Sequence, residues 1–164
     1  TLFDLKLTGM QGDVMKESMS IAKTLAWSLT EESIQKKLVK KFNASKIQGI
    51  HVHCPEGAVP KDGPSAGTAI TVAIYSRLNN KKIKNHIAIT GEINLQGCVT
   101  AIGGLDLKIL GGMKANVKTF IYPKDNHHDF IKFKEKYDKN DFLKDIEFVE
   151  AEHITDVLKI VFAE

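Results

Sequence analysis

The chain is organised around the stretch PKDGPSAG, from Pro60 to Gly67. Gly63 and Pro64 break any preceding regular structure, and an apolar run without proline follows from Ala66 to Leu78. Proline is tolerated in the first turn of a helix. The pattern therefore predicts a helix that starts at Pro64, with Ser65 just inside it.

Ser65 at such a position lies among unpaired N–H groups at the positive end of the helix dipole. These groups stabilise an alkoxide or an oxyanion, which makes Ser65 a candidate nucleophile. The other interpretation is a helix cap, the usual role of a serine before an apolar helix. This segment alone leaves both interpretations open.

The composition is typical of a globular domain. The 164 residues are 43% hydrophobic and 26% charged, which predicts one domain spanning residues 1–164. The formal net charge is only +3. The densest basic cluster falls on a helix face that should be solvated and forms no coherent stripe, so nucleic-acid binding is not expected. That cluster is Lys36, Lys37, Lys40 and Lys41.

The two cysteines, Cys54 and Cys98, cannot build a disulfide framework and lack a metal-type spacing. An intracellular, reducing compartment is therefore expected. The apolar runs are too short to span a bilayer, and the N-terminus does not resemble a signal peptide. Because Thr1 begins directly in a strand-like segment, we expect a piece of a longer chain.

Strand and helix patterns alternate along the chain, which predicts an α/β or α+β domain with a mixed sheet and flanking helices. Strands are predicted around Leu2 to Leu7 and at Ile47–Cys54, Ile87–Ile93, Val99–Ile102, Thr119–Tyr122 and Ile146–Val149. Besides the helix after Pro64, helices are predicted at Asp13–Ser28, after an N-cap at Thr30, and at Leu105–Ala115, Asp129–Tyr137 and His153–Phe162.

Lys108 lies at the edge of the core-facing side of the Leu105–Ala115 helix. Its neighbours on the helix surface are small, namely Gly111, Gly112 and Ala115. Loss of solvent in such a niche favours the neutral amine, which can act as a general base. The alternative is a structural lysine whose stem covers apolar surface at a helix edge.

Other polar residues give weaker signals. His51 and His53 should point to one face of a strand; a metal site would need a third ligand, so substrate contact or a polar strand face is favoured. Asp62, Thr90 and Glu92 lie next to apolar segments and could orient a site. The chain contains neither GxxxxGK[ST] nor GxGxxG, so no loop is predicted to hold a nucleotide phosphate.

Several long motifs together resemble the proteolytic domain of Lon, the ATP-dependent endopeptidase of the AAA+ class. They are PKDGPSAG within IHVHCPEGAVPKDGPSAG (Ile50–Gly67), TGEINLQGCVTAIGGLDLK (Thr90–Lys108), LTGMQGDVMKES (Leu7–Ser18) and FIYPKDN (Phe120–Asn126). The residues Lys61 to Pro64 before Ser65 indicate the A-type subfamily. The resemblance covers nearly the whole chain.

The resemblance implies a Ser-Lys dyad, with Ser65 as nucleophile and Lys108 as general base. Thr90 matches the threonine that holds the lysine amine, and Asp62 and His53 match residues around the family's active site. Oxyanion stabilisation is then expected from the backbone at the helix start. The backbone positions concerned are Gly63, Pro64, Ser65 and Ala66.

The family's nucleotide-binding module and N-terminal region are absent from this sequence. The resemblance therefore implies the peptidase part of a hexameric protease that degrades unfolded or damaged proteins, with no cofactor of its own and with ATP and Mg used by the missing AAA+ module. The implied compartment is the cytoplasm, a mitochondrial matrix or a virus-infected cell. Two alternatives stay open: a non-catalytic assembly or nucleic-acid-binding domain of the same fold, and an ATP-independent peptidase.

Overall fold

Two short parallel strands open the fold in the computed structural model, which describes residues 3–45 and 49–164. Strand β1 (Asp4–Thr8) pairs in parallel with β2 (Gly49–His53), so that Thr8 lies opposite His53. The predicted strands at these places are confirmed within the described residues. Their predicted starts, at Leu2 and Ile47, lie outside the described residues.

A helical hairpin joins these two strands, formed by α1 (Asp13–Leu29) and α2 (Glu32–Ser45). The prediction that Thr30 caps α2 is wrong. The Thr30 hydroxyl donates to the carbonyl of Ala26, 2.9 Å away, and therefore closes α1. A hydroxyl at the end of a helix can reach the last carbonyls of that helix. Thr30 makes this local bond instead of capping α2.

Helix α3 (Gly67–Asn79) runs against α1 through the middle of the molecule. The two helices approach closely at Gly67, where an added Cβ would lie 2.7 Å from the Ser18 hydroxyl oxygen. The buried side chains of α3 are mostly small or β-branched, which suits this close contact. The start of α3, directly after Ser65, is therefore fixed against α1.

The second sheet is parallel, with the order β3 (Ile87–Ile89), β6 (Thr119–Pro123), β7 (Glu147–Ala151). A separate antiparallel hairpin contains β4 (Glu92–Ile93) and β5 (Val99–Thr100). Both ends of the predicted stretch Ile87–Ile93 are strands, but they do not form one continuous strand, because the chain turns between two sheets at Thr90 and Gly91. Gly91 is packed so tightly that an added Cβ would lie 2.6 Å from Val99 Cγ1.

Helices cover both faces of the β3-β6-β7 sheet. Phe120 and Tyr122 of β6 pack in the cluster that includes side chains of α4 (Leu105–Lys114) and α5 (His127–Lys136). Ile121 points to the opposite face and packs in the cluster that includes α6 (Ile154–Val161). This arrangement confirms the predicted α/β class with flanking helices. Among the described residues, no helix is long and apolar enough to cross a membrane.

Candidate active site

Ser65 lies in a turn that precedes α3. The prediction that the helix starts at Pro64 is wrong: α3 begins at Gly67, and Ala66 is its N-cap residue. The reason lies in the carbonyl of Ser65, which accepts a hydrogen bond from the Gly91 amide at 3.0 Å. The carbonyl is therefore turned towards the end of β3 and not along the helix axis.

Lys108 approaches Ser65 from helix α4. Its Nζ donates to the Ser65 hydroxyl oxygen at 3.1 Å, and both side chains are half-buried. The two residues lie 43 positions apart in the sequence, Ser65 in the turn before α3 and Lys108 within α4. Within the described residues the Ser65 side chain makes no cap bond at α3. The lysine amine therefore contacts the hydroxyl that a nucleophile would use.

Both side chains open into a shared cavity of about 410 Å³. Ile109 of α4 is fully buried, whereas Lys108 lies one position away at the edge of the buried face. Gly112 packs on the ring of Phe120, where an added Cβ would lie 3.3 Å from two ring carbons. The rest of the lining is small or apolar and includes Ala66, Ala69, Ala88, Ile89, Gly111, Ala115 and Val117.

A short hydrogen-bond network fixes the Ser65 turn against the end of β3. The Gly91 amide holds the Ser65 carbonyl, and the Gly91 carbonyl accepts both the amide (3.1 Å) and the hydroxyl (2.9 Å) of Thr68. Thr90 also lies in the cavity, almost fully buried, with its hydroxyl 3.5 Å from the Ser65 carbonyl oxygen. In the part of the chain that is described, Thr90 makes no hydrogen bond to the Lys108 amine.

The backbone amides around Ser65 differ in what they contact. The Gly63 amide donates to Asp62 Oδ1 at 2.9 Å, and Pro64 has no N–H to donate. The amides of Ser65 and Ala66 donate to no protein acceptor among residues 3–45 and 49–164. These two N–H groups next to the Ser65 hydroxyl are the donors that remain for a ligand oxygen.

Comparison of the sequence with known proteins gives a match over almost the whole chain. Residues 3–164 match the family model described as the Lon protease (S16) C-terminal proteolytic domain. The chain belongs to this family. The resemblance inferred from the motifs is thereby confirmed.

Individual Lon proteases are similar to the chain over much of its length. The Lon protease of Fusobacterium nucleatum is 48% identical over 126 residues, which cover 77% of the chain and 16% of that protein. The Lon protease of Metamycoplasma arthritidis is 41% identical over 158 residues, covering 96% and 18%. A Lon protease homolog of Acanthamoeba polyphaga mimivirus is 46% identical over 132 residues, covering 80% and 12%. The chain thus spans less than a fifth of these relatives.

Asp62 of this Lon proteolytic domain accepts hydrogen bonds from two main-chain amides. Its Oδ1 accepts the amide of Met15 at 2.8 Å as well as that of Gly63. Met15 lies in the first turn of α1, so the carboxylate caps a helix that is distant in sequence. The negative charge ties the Ser65 segment to the start of α1.

His51 and His53 lie on one strand face, as predicted, and the structure places them apart from the Ser65–Lys108 cavity. The Thr8 hydroxyl is 2.8 Å from a ring nitrogen of each histidine. Both rings line a separate groove with Ile70 and Arg77 of α3. No group of three or more His, Cys, Asp or Glu side chains suited to a metal ion occurs in the described ranges.

Asn126 is a buried polar residue that the sequence analysis missed. Its side chain is only 2% exposed. It accepts the Ile102 amide at 2.9 Å and donates to the Ile102 carbonyl and to Asp129 Oδ2, both at 2.8 Å. Ile102 immediately precedes the glycines before α4, so Asn126 fixes the point from which the Lys108 helix starts. The asparagine within FIYPKDN was the available signal.

Proposed function

We propose that this domain is a serine endopeptidase with a Ser-Lys dyad, the peptidase part of an ATP-dependent Lon protease. The observation that carries the proposal is the 3.1 Å hydrogen bond from Lys108 Nζ to Ser65 Oγ inside a largely apolar cavity. A serine hydroxyl becomes nucleophilic when an adjacent base can take its proton. Family membership supports the same reaction class.

In the proposed mechanism, the neutral Lys108 amine takes the Ser65 proton while Ser65 Oγ attacks the carbonyl carbon of a peptide bond. The resulting oxyanion accepts hydrogen bonds from the amides of Ser65 and Ala66. The tetrahedral intermediate collapses to an acyl-enzyme, and the Lys108 ammonium gives its proton to the leaving amine. A water molecule, deprotonated by Lys108, then attacks the ester, and the proton returns to Ser65 as the acid product leaves.

The supporting residues receive different roles in this proposal. Thr90, whose hydroxyl lies 3.5 Å from the Ser65 carbonyl oxygen, lines the same cavity as Lys108, and we propose that it orients the lysine amine during turnover. Asp62 holds the segment before Ser65 through its bonds to Met15 and Gly63. His53 lies outside the cavity, so we assign it at most a contact with a more distant part of a bound polypeptide.

The proposed substrates are unfolded or damaged polypeptides, the class that membership of the Lon family implies. The domain itself is proposed to need no cofactor, while ATP and Mg serve the AAA+ module of the parent. A hexameric ring is proposed for that parent, located in the cytoplasm or a mitochondrial matrix or encoded by a virus. Membrane and nucleic-acid partners are not proposed for this domain.

The dyad is tested with Ser65→Ala, Lys108→Met and Lys108→Arg. Each variant should lose peptide cleavage by about a thousandfold or more, because the two groups act as one unit. Methionine keeps the apolar stem without a base, and a guanidinium cannot take a proton near neutral pH. A serine-directed phosphonate should label Ser65 in the wild type and react much more slowly in Lys108→Met. Mass spectrometry identifies the labelled residue.

Lys114→Met serves as the matched control, since Lys114 is an exposed lysine at the end of the same helix. It should keep wild-type activity, and the Ser65→Ala/Lys108→Met double variant should be no less active than either single variant. If folded Lys108→Met keeps a tenth or more of wild-type turnover, Lys108 is a structural lysine. A Ser-Lys dyad would then be excluded for this domain.

A further inference from the structure

Lys61, within the PKDGPSAG stretch, has an unusual set of partners for a lysine. Its ammonium donates to three main-chain carbonyls, those of Glu56 at 2.8 Å, Val59 at 2.9 Å and Gly9 at 3.0 Å. A lysine ammonium has three donors, so all of them are used. No carboxylate lies within ion-pair distance of Lys61 in the described part of the chain. Among the described residues, the partners of this charge are therefore main-chain carbonyl dipoles.

Two of these carbonyls belong to the exposed loop at residues 54–60. Other main-chain hydrogen bonds described for this loop are few: the Cys54 amide donates to Thr8, and the Val59 amide donates to Glu56. Glu56 has a left-handed backbone with φ of 61°. Charge-assisted hydrogen bonds are stronger than neutral ones. The Lys61 ammonium therefore provides the main hydrogen bonds that hold this loop against Gly9, the residue that follows β1.

The backbone of Lys61 is anchored at the same place. Its amide donates to the Met10 carbonyl at 2.8 Å, and its carbonyl accepts the Gly12 amide at 2.7 Å. Lys61 thus binds three residues of the β1–α1 connection, Gly9 through its side chain and Met10 and Gly12 through its main chain. Asp62, the next residue, adds its cap on α1.

Only Asp62, Gly63 and Pro64 separate this anchor from Ser65. Gly63 has φ of 118°, and, apart from its two chain neighbours, no heavy atom of the described residues lies within 4 Å of the place where its Cβ would stand. Gly63 is therefore held by little besides its neighbours in the chain. The position of Ser65 depends on the anchors at either end of this short segment, one at Lys61 and Asp62 and the other at Gly91.

We propose that Lys61 is a positioning residue for Ser65. Its ammonium binds the 54–60 loop to the β1–α1 connection. The two segments together then fix the start of the short segment that leads from Lys61 to Ser65. Because Lys61 does not contact the dyad, it takes no part in proton transfer. The inference rests on the proposed serine peptidase function.

The test compares Lys61→Met with the wild type by the rate at which a fluorophosphonate labels Ser65 and by kcat and KM for a short peptide. We expect labelling and kcat to fall by about tenfold or more while KM changes by less than about threefold, because a small displacement of a nucleophile is costly for reaction. Circular dichroism confirms that the compared proteins are folded at the assay temperature. Lys36→Met, which removes an exposed lysine from an ion pair with Glu32, is the matched control and should be unaffected.

A second arm restores the ammonium within one folded protein. Lys61→Cys is prepared with Cys54→Ser and Cys98→Ser, so that 2-bromoethylamine alkylates only position 61 and creates a lysine-like thioether amine. We expect the labelling rate to rise on alkylation to within about threefold of the Cys54→Ser/Cys98→Ser parent. Failure of alkylation to raise the rate, or a Lys61→Met rate within about twofold of the wild type, overturns the proposal. Absence of any Ser65 labelling in the wild type would instead overturn the proposed function.

Discussion

Asn126 shows how one buried amide can set the position of a distant functional side chain. Asn126→Asp keeps the acceptor for the Ile102 amide but loses both donated hydrogen bonds. It also places a carboxylate beside the Ile102 carbonyl and the Asp129 carboxylate in a buried site. We expect a loss of about 3 kcal/mol in the free energy of unfolding, measured by urea denaturation at neutral pH.

The same substitution has a signature in its pH dependence. A protonated aspartic acid regains a donor, so the difference between Asn126→Asp and the wild type should shrink as the pH falls towards about 4. Asp129→Asn is the control, because an amide oxygen at that position can still accept the Asn126 donor. An Asn126→Asp variant as stable as the wild type at neutral pH would show that Asn126 does not anchor the start of α4.

Some residues of the candidate site could be predicted from the sequence, whereas others could not for a physical reason. The small neighbours of Lys108 lie on its own helix, so helical spacing reveals them. Thr68, Lys61 and Asn126 act by donating to or accepting from main-chain atoms of remote segments. Such contacts depend on the folded path of the backbone and leave no periodic pattern in the sequence.

Secondary-structure elements were predicted well where the hydrophobic period was long and uninterrupted. Helix α1 begins at Asp13 as predicted, and α4 occupies the predicted span to within one residue. The segment at Ile87–Ile93 differs, because β3 pairs in parallel with β6 whereas β4 pairs antiparallel with β5. Continuous β-propensity cannot show that a strand changes partners, and this change happens beside the Ser65 turn.

The end of β7 and the start of α6 carry two carboxylates that should govern stability in acid. The His127 ring holds the pKa of Glu150 below its ordinary value of 4.5, with a further hydrogen bond from the Tyr122 hydroxyl. The amides of His153 and Glu152 likewise hold the pKa of Asp156 below 3.8. A lowered folded-state pKa stabilises the fold above the ordinary pKa, and this contribution is lost as the pH falls through the folded-state value.

We therefore expect the Glu150→Gln/Asp156→Asn double variant to lose stability less steeply than the wild type between about pH 5 and pH 2. Urea denaturation at a series of pH values measures this slope. The control is Glu135→Gln/Asp138→Asn, which removes two exposed carboxylates that make no side-chain hydrogen bond or ion pair within residues 3–45 and 49–164. Equal slopes for the wild type and the Glu150/Asp156 variant would contradict the assignment.

At the scale of the molecule, the α/β class followed from the alternation of strand and helix patterns, whereas the arrangement of strands did not. The parallel and antiparallel pairings fall into three small sheets in the described residues. Hydrophobic patterns report which faces are buried but not which strands are neighbours. The long motifs gave a different kind of information. Their resemblance to the Lon proteolytic domain paired Ser65 with Lys108, although the two residues are distant in the sequence.

The isolated domain is expected to associate more weakly than its parent protein. If the parent is a hexameric ring whose contacts come from both the ATPase and the peptidase modules, this domain alone contributes only part of the interface. Exposed apolar side chains of this domain that other subunits could cover include Val39 on α2, Leu107 on α4 and Leu95 in the β4–β5 turn. We expect analytical ultracentrifugation at micromolar concentration to show monomers or a concentration-dependent mixture, because a smaller interface gives weaker association.

The matched comparison is the same domain within its parent chain, which should remain assembled at the same concentration. A hexamer of the isolated domain that persists at nanomolar concentration would mean that the peptidase faces are sufficient to form the ring.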